Sequence, residues 1–161
     1  AESTLESNSV DKVYGEAMLT MHADHRKSEI IREAYRILKP GGFYGIHELG
    51  LTPDEIPTEK KAEIQKELAL AIKVNARPLT VSEWTELLEK EGFSVVKVET
   101  NPMHLLEPKR IIDDEGFFRT LKIFFNIMTN PAARKRILAM RKVFRDNAQN
   151  LNAVAIIAQK K

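Results

Sequence analysis

Arg36-Ile37-Leu38-Lys39-Pro40-Gly41-Gly42-Phe43-Tyr44-Gly45-Ile46 is the stretch that decides the fold. Upstream of it, Ile30, Ile31, Ala34, Ile37 and Leu38 recur at helical spacing, with Arg32, Glu33 and Arg36 on the opposite face. This predicts a helix over Lys27 to Leu38. Proline cannot continue a helix and glycine permits the turn after it, so Pro40-Gly41-Gly42 ends the helix. The apolar run from Phe43 to Leu49 then predicts a strand. An earlier compact run from Val10 to Ala17, after the turn-rich Ser7-Asn8-Ser9, predicts another. Strand, helix and strand in this order make a βαβ unit, which requires parallel strands and a right-handed crossover.

Working outward, Pro53 to Val74 predicts a charged amphipathic helix with Ile64, Leu68, Ala71 and Ile72 inward. Thr80-Val81-Ser82-Glu83 has the form of a capping box, and the helix it opens runs through Trp84, Leu87 and Leu88 to a left-handed cap at Gly92. Phe93 to Val98 predicts a third strand. Leu151 to Ala158 predicts a fourth, whose Val154-Ala155-Ile156-Ile157 run suggests burial on both faces. The connection between these two is far longer than an ordinary loop. It holds a nearly all-apolar helix (Phe117, Phe118, Leu121, Phe124, Phe125, Met128), read as core. After Asn130-Pro131 comes a helix with Ile137, Met140 and Phe144 on one side and Arg134 to Arg145 as a solvated basic face.

Val10-Asp11-Lys12-Val13 upstream, Leu38-Lys39-Pro40-Gly41-Gly42 within the opening stretch and Leu87-Leu88-Glu89-Lys90-Glu91-Gly92-Phe93 downstream together resemble the second half of class I S-adenosylmethionine-dependent methyltransferases. The resemblance implies an α/β fold, a partial Rossmann-like sheet of three parallel strands. A final antiparallel strand is inserted between the second and third. It implies one unit over residues 1–161, with helical substrate-cap insertions at about 53–76 and 101–150. It also implies that the glycine-rich cofactor loop lies outside this sequence. Gly41, Gly42 and Gly45 follow a helix where a cofactor loop would open one.

From the resemblance, S-adenosyl-L-methionine is the expected cofactor. Gly15, Glu16, Ala17 and Leu19 are expected around its methionine moiety, and Ala1 and Glu2 lie just past the acidic residue that meets its adenine. His47 and Glu48, ending the second strand, are the candidate catalytic pair, since ligands in open α/β sheets bind beyond the carboxyl ends of strands. His22 and His25 are weaker candidates, and His104 is read as structural. The reading is an acceptor-binding half of a methyltransferase acting on a small molecule by in-line methyl transfer, inactive by itself. The alternative is a non-catalytic module, half of a split enzyme; an RNA-binding domain built on the basic helix is a third.

Composition sets bounds on partners. The 161 residues carry 25 basic and 23 acidic side chains, a balance that argues for neither nucleic acid nor a membrane as partner. With no cysteine there is no disulfide framework or thiolate site, and four scattered histidines give no metal-ligand spacing. A reducing cytoplasm fits this usage. The first strand, lacking the neighbour that the family fold gives it, is expected to pair two copies into a homodimer.

Overall fold

The structure is a computed structural model that describes residues 2–103 and 108–161. Ala1 and His104 lie outside the described residues. β1 (Val10–Glu16) leads through a short 3-10 turn (Leu19–Met21) into α1 (Asp24–Ile37), and β2 (Leu38–Leu51) follows directly. Then come α2 (Thr58–Ile72), β3 (Leu79–Thr80), α3 (Val81–Lys90), β4 (Phe93–Pro102), α4 (Pro108–Glu115), α5 (Phe117–Thr129), α6 (Pro131–Asp146) and β5 (Leu151–Lys160).

The strand order is β1-β2-β5-β4. β1 runs parallel to β2, while β5 is antiparallel to both β2 and β4, so β1, β2 and β4 share one direction. This is the sheet expected from the sequence. β3, a two-residue strand not foreseen there, pairs parallel with Gly50 and Leu51 beyond the end of β1.

Two expectations about the sheet need correction. The Pro-Gly-Gly segment does not form a turn between a helix and a strand that starts at Phe43. The helix stops at Ile37 and the extended chain begins at Leu38; the register jumps from Val10↔Leu38 to Lys12↔Phe43, so the glycines lie in a wide bulge. Gly42 is required there, because a Cβ would lie 2.9 Å from the Lys39 carbonyl oxygen and 3.0 Å from that of Asp11. Second, β5 is not buried on both faces. Val154, Ile156 and Ala158 are buried while Ala155 is exposed and Ile157 is 43% exposed.

That alternation shows a sheet covered on one side. Tyr44, Ile46, Phe93, Val154 and Ile156 pack with Ile31 of α1 and with Trp84 and Leu88 of α3. The other face leaves Phe43, Val96 and Ile157 exposed. A second core joins Leu51 and Leu151, at the facing ends of β2 and β5, to Ile64 and Leu68 of α2 and Phe144 of α6. The capping box of α3 is formed in both directions, Thr80 Oγ1 accepting from the Glu83 amide and Glu83 from the Thr80 amide. Gly92 adopts the expected positive φ of 99°.

The largest surprise is α5. Read as core, it has Phe118 86% and Phe125 67% exposed, with Thr120 its one fully buried side chain among the described residues. It packs on α4 and α6 rather than on the sheet.

Candidate functional site

The carboxyl ends of β1 and β2 lie side by side, with Gly15 opposite Ile46 and Glu16 opposite His47. The amide of Ala17 donates to the His47 carbonyl at 2.7 Å, carrying the chain across the strand ends. Ala17 does this at a φ of 49°, the left-handed region that an L-residue enters at some cost. At Gly15 an added Cβ would stand 3.3 Å from Met18 Sδ and 3.5 Å from the Tyr44 hydroxyl oxygen. Gly15 is itself buried, and its missing side chain is what lets Met18 and Tyr44 pack against the backbone there.

Glu48 holds this corner together. Oε1 accepts from the amides of Met18 and Leu19 at 3.0 and 2.8 Å; Oε2 accepts from the Thr20 amide at 3.0 Å and its hydroxyl at 2.7 Å. A buried carboxylate with four donors gathered from three consecutive residues is well compensated for its desolvation. With these contacts and 3% exposure, Glu48 faces inward and positions the 3-10 turn instead of meeting an acceptor. The network continues inward. The Arg77 amide donates to the Thr20 carbonyl at 2.8 Å, and Lys27 Nζ donates to the Arg77 carbonyl at 2.9 Å and to Asp24 at 2.8 Å. Lys27 is fully buried and lies 5.4 Å from the centre of the Trp84 ring. Burial pulls its ammonium below its ordinary range while Asp24 opposes the shift, and the hydrogen bond from Lys27 lowers Asp24 in turn.

His47 is on the other side of β2. Its side chain is about half exposed, and Nδ1 lies 3.6 Å from Glu16 Oε1. The Tyr14 hydroxyl donates to Glu16 Oε2 at 3.3 Å. Exposed imidazole, carboxylate and phenol thus share the sheet face that carries no helix. Burial first, then the Glu48 charge, pushes the Tyr44 phenol well above its ordinary value, so it stays a neutral donor beneath Gly15.

The candidate residues are therefore not all gathered in one place. Gly15, Glu16, Ala17 and His47 meet at the strand ends. Leu19 joins the hydrophobic core, its side chain fully buried, so its backbone alone belongs to this corner. Glu2 is held elsewhere, because the next residue, Ser3, donates through both amide and hydroxyl to Glu33 near the far end of α1. His22 ends the 3-10 turn and His25 opens α1, and no described hydrogen bond links either imidazole to His47. Sequence reasoning missed Tyr44, Thr20, Lys27 and Arg77. Strand alternation carried the signal for one of them, since Tyr44, Ile46 and Glu48 share a face opposite His47.

One hydrogen-bond step beyond Thr20, Arg77 and Asp24 help line a cavity of about 370 Å³ together with Lys61, Gln65 and Glu83. Its carboxylates already have partners: Lys27 on Asp24, Ser82 on Asp54, Lys61 on Glu83.

No family model matches the chain. An uncharacterized protein of Haemophilus influenzae is 37% identical over 155 residues, which cover 96% of this chain and 59% of that protein. The chain thus spans about three-fifths of the length of this relative. A structure described as a putative sarcosine dimethylglycine methyltransferase from Galdieria sulphuraria superposes with a TM-score of 0.70 at 17% identity, covering 98% of this chain and 56% of that one. Phosphoethanolamine N-methyltransferase 2 of Haemonchus contortus, in complex with S-adenosyl-L-methionine, gives 0.62 at 21% identity, with 97% and 34% covered. The cyclopropane synthase MmaA2 of Mycobacterium tuberculosis gives 0.68 at 16%, with 96% and 56% covered. Strand order, the single antiparallel strand and these superpositions agree: the chain has the fold of the class I S-adenosylmethionine-dependent methyltransferases.

Proposed function

We propose that these residues form the acceptor-binding half of a methyltransferase that uses S-adenosyl-L-methionine and acts on a small molecule. The observation that carries this reading is the strand-end corner, where the Ala17 amide bonds the His47 carbonyl and Glu48 fixes the 3-10 turn beside it. The backbone of Gly15 to Ala17 would hold the methionine end of the cofactor, with Tyr44 as a neutral donor under it. The bound cofactor would supply a methyl group on a sulfonium, an electrophile that asks the protein mainly for alignment.

His47, held at ion-pair distance by Glu16, would orient the acceptor and take a proton from it where the attacking atom carries one. Two long connections flank this edge. One leaves the end of β2 through α2; the other leaves the end of β4 and, because β5 runs antiparallel, returns to the same edge. As substrate-cap insertions they would exclude water from the acceptor. A cytoplasmic location goes with this reading. So does a partner, or a second copy, along β1, which pairs with β2 alone among the described residues.

Calorimetric titration with S-adenosyl-L-methionine tests the proposal. Residues 1–161 alone should bind weakly or not at all. The same residues preceded by a Gly-x-Gly-x-Gly half should bind, and Gly15→Val should remove that binding. Stoichiometric micromolar binding to residues 1–161 alone would overturn the division into halves.

A further inference from the structure

The α5–α6 hairpin joins two properties that a free protein surface rarely combines. Phe117, Phe118, Leu121, Phe124, Phe125 and Met128 on α5 are all exposed, and Leu138 of α6 adds to them at 56%. Side chains of this size gain on the order of 2 kcal/mol each when removed from water, so seven of them exposed on one hairpin mark a contact site. Residues 117–146 also hold eight basic side chains against the single acid Asp146, a formal charge of +7, whereas the whole chain carries +2. The rest of the molecule is therefore negative, and the near-neutral total conceals a strongly polarised one. On α6 itself, Leu138, Arg141, Lys142 and Arg145 line a cleft of about 340 Å³, with Asp146 at its side.

We infer that the α5–α6 hairpin docks on an anionic lipid surface. Aromatic side chains settle at the headgroup–acyl boundary while lysines and arginines meet anionic headgroups, and these two contributions together describe an interfacial helix. Among the described residues no helix is long and apolar enough to cross a membrane, so the contact lies along the surface. Charge disfavours a second copy on this face, since two hairpins of +7 would repel. Nucleic acid fits less well. The aromatic helix carries only Arg119 and Lys122 of its own, and Leu121 and Met128 offer nothing for a base to stack on.

Cosedimentation of the purified protein with phosphatidylglycerol–phosphatidylcholine vesicles tests this. Binding should exceed that to phosphatidylcholine alone and fall steeply as salt is raised. Phe118→Asp with Phe125→Asp should abolish it, and both side chains are exposed enough for the fold to survive, as circular dichroism would verify. Arg134→Ala with Lys135→Ala should weaken it roughly 25-fold, at about fivefold for each near-surface cation. Equal binding to both vesicle types overturns the inference. So does a stable dimer abolished by the Phe118→Asp change, or an RNA held by these same residues that displaces the vesicles.

Discussion

At each end of the sheet a charged strand residue is buried, and the two serve different purposes. At the end where β1 and β2 begin, Lys160 Nζ donates to Asn8 Oδ1 at 2.9 Å and to the carbonyls of Tyr35 and Leu38 at 2.7 Å, closing the last turn of α1. It also lies 4.5 Å from the centre of the Tyr35 ring. A cation at a helix C-terminus answers unpaired carbonyls and the helix dipole together. At the opposite end, Glu48 answers unpaired amides of the 3-10 turn. The first end closes on itself: Asn8 and Ser9 donate to the carbonyls of Arg36 and Ile37, and the bulge at Gly42 fills the remaining space. The second leaves Glu16, Ala17 and His47 open to solvent. One end is built for stability; the other uses the same kind of buried charge to hold an exposed surface in shape.

The sharpest way to break this contrast is Glu48→Ala. It strands the amides of Met18, Leu19 and Thr20 in a buried corner, each unmet group costing about 1–3 kcal/mol. Denaturant unfolding should show a loss of at least about 3 kcal/mol, and any cofactor binding should go with it. A loss under 1 kcal/mol would mean that water replaces the carboxylate there. Next comes His47→Ala in the whole methyltransferase proposed above. Turnover should fall on the order of 100-fold with little change in cofactor affinity or melting temperature, because the role proposed for His47 is toward the acceptor. An unchanged rate would reduce His47 to a strand-end residue.

Lys160→Met should have the reverse profile. It removes three hydrogen bonds, two of them part-buried and one buried, so unfolding should shift by about 1–3 kcal/mol with turnover intact. A loss of turnover at unchanged stability would show that the two ends communicate. The smallest expected effect is on pH. The Arg36 guanidinium, then Ser3, holds Glu33 far below its ordinary carboxylate value. A depressed carboxylate contributes stability above its unfolded pKa that is lost as pH falls through the folded one, so this contribution belongs to the acid limb below about pH 4. Glu33→Gln should flatten that limb in an acid titration and leave neutral pH nearly untouched.

Much of this frame was legible because it rests on local rules. The βαβ unit, the capping box at Thr80 and Glu83, and the cap at Gly92 follow from residue types at fixed offsets. The placement of His47, Gly15 and Ala17 together at the strand ends was legible through the strand-end rule. It was misread at Glu48, although alternation from Tyr44 and Ile46 already turned that side chain inward. Lys27 shares a helical face with Ile31 and Ala34, but its charge disguised a core position. Lys160 had no local signal at all, since its partners are more than a hundred residues away. The aromatics of α5 failed for the opposite reason: hydrophobicity reports that a surface wants cover, not that this chain provides it.

The place of β5 has a consequence for how the sheet assembles. Tyr44 pairs with Ala158, so the centre of the sheet joins segments far apart in sequence, and among the described residues β4 reaches the other strands only through β5. Such long-range closure is slow, because the loop entropy is lost before the contacts form. On a ribosome, β1, α1 and β2 could pair early, while β4 would wait with both edges bare until β5 emerged. That interval is the period of greatest exposure to mispairing, and a nascent chain arrested before Leu151 should hold a formed βαβ unit beside a β4 segment open to proteases.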